Sequence, residues 1–276
     1  MSEQGGGEMR EIPTGTAEVL CRVGERVAAV TLNRPEARNA LTLEMKRALT
    51  ALLPELARDV GVGCVLLTGA GGAFCAGGDT KRMQQEGRPP SAEDRIRQLR
   101  WEHGIPLALH RMPKPTLAAL PGAAAGAGLA LALACDLRIA ARSAIATTSY
   151  ARLGLSGDYG SSWFLTQLVG TAKARELFFG SPRLDAVECL GLGLVNRVVP
   201  DDQLEKEALA WARQIAAGPP VALRYMKDNL NRALVQGLEE CLDLEAERMV
   251  GGAQTEDYLE AVAAFAEKRT PAFRGR

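Results

Sequence analysis

Thr116-Leu117-Ala118-Ala119-Leu120-Pro121-Gly122-Ala123-Ala124-Ala125-Gly126-Ala127-Gly128-Leu129-Ala130-Leu131-Ala132-Leu133-Ala134-Cys135 decides the fold. Residues 115–135 carry no charge, and about 20 apolar residues suffice to cross a bilayer. The run is mostly Ala and Gly, however, and Pro121-Gly122 breaks it, so it is far less apolar than a Leu/Ile/Val span. It reads as a buried strand over Thr116–Leu120, a turn, and a helix from about Gly126 to Ala134. Leu137-Arg138-Ile139-Ala140 then returns as a strand, which makes the whole a strand–helix–strand unit of a parallel sheet.

The same unit recurs outward from this stretch. Ala17–Val23 and Val27–Leu32 flank a Gly24-Glu25 turn and predict a hairpin. Thr42–Arg58 has helical spacing, with Thr42 as N-cap and Pro54 near its end. Cys64-Val65-Leu66-Leu67-Thr68 is an apolar strand that opens into Gly69-Ala70-Gly71-Gly72. One helix is expected from about Ala92 to Arg111. From Gly160 the pattern is nearly all helical: 161–169, 172–179, 201–216, 219–233, 238–249 and 255–268. The fold class is therefore α/β, with a helical C-terminal region.

Composition narrows the function. In 276 residues, 47% are hydrophobic and 24% charged, enough to bury a sizeable core. Lys plus Arg and Asp plus Glu both number 33, so no global charge favours nucleic acid or an anionic membrane. Aromatics at 5% leave no stacking surface for single strands. Six cysteines, Cys21, Cys64, Cys75, Cys135, Cys189 and Cys241, form no C-x-x-C pair and are read as reduced, which suits a cytoplasmic chain. His103 and His110 are the two histidines, too few for a His-rich metal site. Met1–Glu11 is polar and Gly-rich, unlike a signal peptide.

Two Gly-rich segments each follow an apolar strand: Phe74-Cys75-Ala76-Gly77-Gly78-Asp79, and Gly122 through Gly128. Neither has P-loop spacing, and the second lacks the dinucleotide fingerprint. Loops of small residues at two strand ends can aim two backbone N–H groups at one point, and a helix opening there adds positive potential. That suits a carbonyl oxygen that gains charge in a transition state. Two close-packed turns are the plainer alternative.

The ordered motifs resemble the crotonase family, the enoyl-CoA hydratase/isomerase superfamily. They are Leu32-Asn33-Arg34-Pro35-Glu36-Ala37-Arg38-Asn39-Ala40-Leu41, Ala73 to Asp79, Ala124 to Gly128 with Cys135-Asp136, Gly191-Leu192-Gly193-Leu194-Val195, and Phe265-Ala266-Glu267-Lys268-Arg269. The resemblance implies a spiral of ββα units over 15–200 after a disordered tail over 1–14, and a helical trimerisation region over 201–276. It implies an acyl-CoA thioester substrate, no metal or redox cofactor, and a homotrimer or a hexamer of two trimers. The family's oxyanion donors map onto Gly78 and Ala127, each worth about 3–4 kcal/mol against a developing enolate. CoA contacts map onto Ala37 and onto Gly78, Asp79, Thr80 and Lys81. Phe265 and Lys268 match positions at the CoA mouth, sometimes of a neighbouring subunit.

The departures choose the chemistry. Where the family's hydratases carry two glutamates, this chain has Ala130 and Tyr150. Asp158 instead matches the lone aspartate of 1,2-epoxyphenylacetyl-CoA isomerases and of 4-chlorobenzoyl-CoA dehalogenases. It also precedes a helix beginning at Gly160, where an Asp is a natural N-cap. Apolar Leu153, Leu155 and Trp163 are expected around it, a setting that makes a carboxylate a better base. His103, twelve residues before Pro115, has the spacing of a dehalogenase histidine, and Tyr150 matches a ring-polarising tryptophan there; a helix-surface histidine is the plainer reading of His103. Double-bond isomerisation with Asp158 as acid and base is the favoured expectation. The alternatives are hydrolytic substitution with Asp158 as nucleophile, a hydratase with atypical acids, and a non-catalytic acyl-CoA-binding homologue.

Overall fold

The computed structural model describes residues 9–79 and 91–276. Among these, eleven strands form two sheets. The strands are β1 (Arg10–Glu11), β2 (Val19–Gly24), β3 (Val27–Leu32), β4 (Cys64–Gly69), β5 (Ala73–Cys75), β6 (Thr116–Leu120), β7 (Ala123–Ala125), β8 (Leu137–Ala141), β9 (Ile145–Thr147), β10 (Leu184–Asp185) and β11 (Arg197–Val199). The large sheet has the order β1-β2-β3-β4-β6-β8-β11 and the small one β10-β9-β7-β5. Strands from β3 onward in the large sheet pair in parallel, Val65 opposite Thr116 and Leu117 opposite Leu137. Each turn of the chain lays one strand in the large sheet and the next in the small one (β4 then β5, β6 then β7, β8 then β9), so it winds as a spiral.

The helices close the turns: α1 (Leu43–Arg58), α2 (Ala92–Glu102), α3 (Gly104–Arg111), α4 (Ala127–Ala134), α5 (Ser161–Gly180), α6 (Ala186–Gly191), α7 (Leu204–Ala216), α8 (Pro220–Ala233), α9 (Leu238–Ala253) and α10 (Glu256–Glu267). Every residue of α4 is buried, as expected of a helix apolar all round. Its small residues allow the approach: a Cβ on Gly128 would lie 2.2 Å from the Cys75 carbonyl oxygen. The uncharged stretch is thus a strand, a turn and a core helix with a second short strand, β7, where the turn alone was expected, and no helix among the described residues is long and apolar enough to cross a membrane.

Several expectations change in detail. The hairpin turns at Glu25 and Arg26, both with positive φ, one residue later than the Gly24-Glu25 reading. Thr42 caps α1, accepting from the Met45 N–H at 3.0 Å, and Pro54 sits inside that helix without ending it. The single helix expected over 92–111 is two, with His103 at the junction. Helix α5, by contrast, breaks at Gly170, where φ is 72°, between the two stretches expected over 161–169 and 172–179. The tail expected to be disordered over 1–14 is ordered where β1 pairs with β2, Arg10 opposite Val23; residues 1–8 lie outside the described residues. The core also runs past residue 200, because Leu204, Ala208, Ala212 and Ala216 of α7 pack on Val27, Leu66, Leu117 and Ile139 of the large sheet.

Candidate active site

The two Gly-rich segments meet. Leu41 forms a parallel bridge with Gly78, its N–H donating to the Gly77 carbonyl at 2.8 Å. In such a bridge the flanking residues supply the bonds, so the N–H of Gly78 itself points away from Leu41. Gly77 has φ +86°, and a Cβ there would lie 2.6 Å from the Ala125 oxygen and 3.2 Å from the Ala127 nitrogen. Only a glycine lets this loop lie against the next turn of the spiral. Ala127 is the first residue of α4, so its N–H has no acceptor within the helix. Among the described residues neither the Gly78 nor the Ala127 N–H has a hydrogen-bond acceptor. Two such donors on adjoining backbones, one at a helix start, are chemically suited to an oxygen that gains negative charge.

The loop is held from behind. Asn39, fully buried with φ +56°, donates to the Ala70 and Ala73 carbonyls at 2.9 and 2.8 Å and accepts from the Arg34 N–H at 2.8 Å. The Cys75 thiol donates to the Asn39 carbonyl at 3.0 Å, and burial pushes that thiol up to about 12. Arg34 Nη1 meets Asp79 Oδ2 at 2.8 Å, and this bond raises the guanidinium further above its ordinary range.

Asp158 lies on the loop before α5. Its Oδ1 accepts from the Tyr159 N–H at 2.9 Å and contacts His103 Nε2 at 2.5 Å. No described residue donates to Oδ2, and the side chain is 27% exposed. The helix cap that was the alternative reading of Asp158 is absent. Gly160, in the left-handed region, is the N-cap of α5, and the Asp158 backbone carbonyl takes the Ser161 N–H and Oγ at 3.0 and 2.8 Å. The helix start is served by main chain, leaving the carboxylate to His103. Nor is Asp158 enclosed by the expected apolar residues: Leu153 and Leu155 are exposed, and Trp163 turns to His110, with ring centroids 5.2 Å apart.

Tyr150 joins this aspartate to the helix start. Its hydroxyl donates to the Asp158 carbonyl at 3.2 Å, its ring stacks on Phe178 at 5.9 Å, and a Cβ on Gly126 would lie 3.9 Å from its Cε1. Burial pushes the phenol up to about 12, so it remains a donor at neutral pH. Ala130 is buried in the core.

The structure therefore brings Gly78, Ala127, Tyr150, Asp158 and His103 together through a short series of contacts. Ala37 ends the Pro35–Ala37 turn beside the Gly77–Asp79 loop, and Asp79 is tied into that turn by Arg34. Thr80 and Lys81 lie outside the described residues. Phe265 and Lys268 close α10; Phe265 is 89% exposed and neither side chain has a described contact with Asp158 or His103. A groove of about 650 Å³ between α8, α9 and α10, lined by Tyr225, Met226, Leu242, Met249 and Tyr258, shares no residue with this site. No group of three His, Cys, Asp or Glu side chains is placed to hold a metal among the described residues.

Sequence reasoning missed Glu102, Tyr159 and Lys46, which pack behind the His103–Asp158 pair. A glutamate at a helix end signals nothing alone; the Gly157-Asp158-Tyr159-Gly160 spacing, with a tyrosine between glycines, was the available hint of a strained loop.

A sequence profile of the enoyl-CoA hydratase/isomerase family matches residues 22–276. The 1,2-epoxyphenylacetyl-CoA isomerase of Escherichia coli is 36% identical over 258 residues, 94% of this chain and 98% of that one. A protein named "probable enoyl-CoA hydratase" from Rhodobacter capsulatus is 39% identical, covering 92% of this chain and 96% of its own. The crystal structure of an enoyl-CoA hydratase from Polaromonas sp. JS666 superposes with a TM-score of 0.88 at 36% identity, over 92% of this chain and 99% of that one. With the spiral fold, the paired N–H donors and these matches over nearly its whole length, the chain belongs to the enoyl-CoA hydratase/isomerase, or crotonase, family.

Proposed function

We propose that this enzyme moves a double bond along an unsaturated acyl-CoA thioester. The Gly78 and Ala127 N–H groups hold the thioester oxygen, which lowers the cost of an enolate. Asp158 takes a proton from one carbon on Oδ2 and returns it to another, so the carboxylate ends as it began. Asp79 and the Ala37 turn border the CoA path, with Thr80 and Lys81 following directly in sequence. The chain works as a cytoplasmic homotrimer or hexamer, Phe265 and Lys268 serving a neighbour's CoA mouth. The observation that carries the reading is the Asp158 carboxylate, held at Oδ1 by the Tyr159 N–H and His103 with no described donor to Oδ2 and linked through Tyr150 to the turn that starts α4, while the hydratase acid positions hold Ala130 and Tyr150.

The test is NMR of trans-3-hexenoyl-CoA in D₂O. Deuterium entering the α and γ carbons as the double bond migrates is expected; hydration of crotonyl-CoA at enzymatic rates sinks the reading. One observation favours a second chemistry, hydrolytic substitution with Asp158 as nucleophile: His103 Nε2, 2.5 Å from Oδ1, is an imidazole placed to activate a water. With 4-chlorobenzoyl-CoA in ¹⁸O-water, that route labels Asp158 and isomerisation does not.

A further inference from the structure

Behind the His103–Asp158 pair sits a carboxylate that the proposed chemistry does not use. Glu102 is 1% exposed. Its oxygens meet Lys46 Nζ at 2.9 Å, Gln98 Nε2 at 2.9 Å, Arg95 Nη1 at 3.5 Å and the Tyr159 hydroxyl at 3.2 Å. A buried charge survives only when it is paired and hydrogen-bonded, and here α1, α2 and the loop before α5 all supply partners. Its covalent neighbour is His103, and the neighbour of its partner Tyr159 is Asp158. The His103 and Tyr159 rings also meet edge to face at 5.9 Å.

The backbone shows what this arrangement holds. Gly157, Tyr159 and Gly160 have φ of 115°, 54° and 76°. A tyrosine in the left-handed region is strained and persists only where its surroundings over-determine it. Tyr159 is 1% exposed, and its hydroxyl bond to Glu102 anchors the ring. Its backbone N–H, oriented by that strained conformation, is the donor to Asp158 Oδ1. On the other side, α2 ends at Glu102, so anchoring its carboxylate fixes where His103 leaves the helix.

We propose that Glu102 is the positioning residue of this active site, aligning His103 and Asp158 at once through the peptide to His103 and the hydrogen bond from Tyr159. The proposal rests on the reading of Asp158 as the base, and its test separates the two.

With two histidines in the chain, the ¹⁵N imidazole spectrum resolves His103 from His110. Tyr159→Phe deletes only the hydroxyl, and Glu102→Gln keeps the shape but not the charge. In both variants the His103 Nε2 resonance is expected to move toward its solvent value while His110 stays put. The exchange rate of trans-3-hexenoyl-CoA with D₂O is expected to fall at least tenfold in kcat with KM within twofold, and Glu102→Asp to recover part of it. In the Asp158→Asn background, Tyr159→Phe should cost nothing further. Should Glu102→Gln not fold, Tyr159→Phe carries the test alone, and its spectrum is read without substrate. An unmoved His103 resonance, or an exchange rate within twofold of wild type, overturns the proposal. Exchange that survives in Asp158→Asn overturns the base instead, while the His103 resonance still decides whether Glu102 sets the pair.

Discussion

Asp158 makes two kinds of contact, and one substitution separates them. Its backbone carbonyl serves the start of α5, and its Oδ1 accepts from Tyr159, both of which an asparagine retains. Asp158→Asn should therefore melt within a few degrees of wild type. An amide cannot take the substrate proton, and loss of a positioned base costs roughly 10²–10⁴ in rate. The expected variant is folded, binds acyl-CoA, and neither isomerises nor exchanges; one that keeps its exchange rate removes Asp158 from the chemistry. Gly78→Pro deletes a single donor and should lower turnover at least tenfold in a protein that still folds. Two Gly-rich loops at strand ends leave a pattern in one dimension, whereas Gly78, Ala127 and Asp158 were singled out by the family resemblance. Glu102 was not, since its meaning depends on Lys46 and Tyr159, far away in sequence and reached only once the spiral is wound.

Between elements, one asparagine and one histidine do what helix and strand propensity cannot. Asn39 satisfies three backbone groups, two of them carbonyls on either side of the Gly71-Gly72 turn. Asn39→Ala strands them in a buried place and puts an alanine at positive φ, so a loss on the order of 3 kcal/mol or more is expected from the urea midpoint. A shift under about 1 kcal/mol would show the turn to be held by other contacts. His110, at the end of α3, packs on Trp163 and Phe164, and burial followed by the nearby Lys227 lowers its pKa. The unfolded chain then binds the proton more readily than the folded one, so stability is complete above the ordinary value of 6.5 and falls as pH drops below it. His110→Phe should flatten that acid limb between pH 7.5 and 5.5; an unchanged slope assigns it to the carboxylates. The periodicity marked 92–111 as helical, but not the break at His103, where α2 gives way to α3.

At the scale of the molecule, the spiral core accounts for its apolar residues and the last three helices do not. Leu238, Met249, Leu259 and Phe265 are all more than half exposed, and the apolar groove between α8, α9 and α10 lies on the same part of the chain. A single chain with this much open apolar surface is poorly suited to water, whereas a neighbour's helices would cover it. With the trimer or hexamer that the family resemblance implies, light scattering should give three or six times the 29.4 kDa chain mass. These side chains contribute little to the chain's own core, so Met249→Glu with Phe265→Glu should yield a folded species of one chain mass. If Phe265 borders a neighbour's CoA mouth, that species should show KM for the thioester raised at least tenfold, with kcat falling much less, because Asp158, His103 and both N–H donors come from one chain. A wild-type protein that runs at one chain mass with full activity would sink the assembly and leave Phe265 a surface residue.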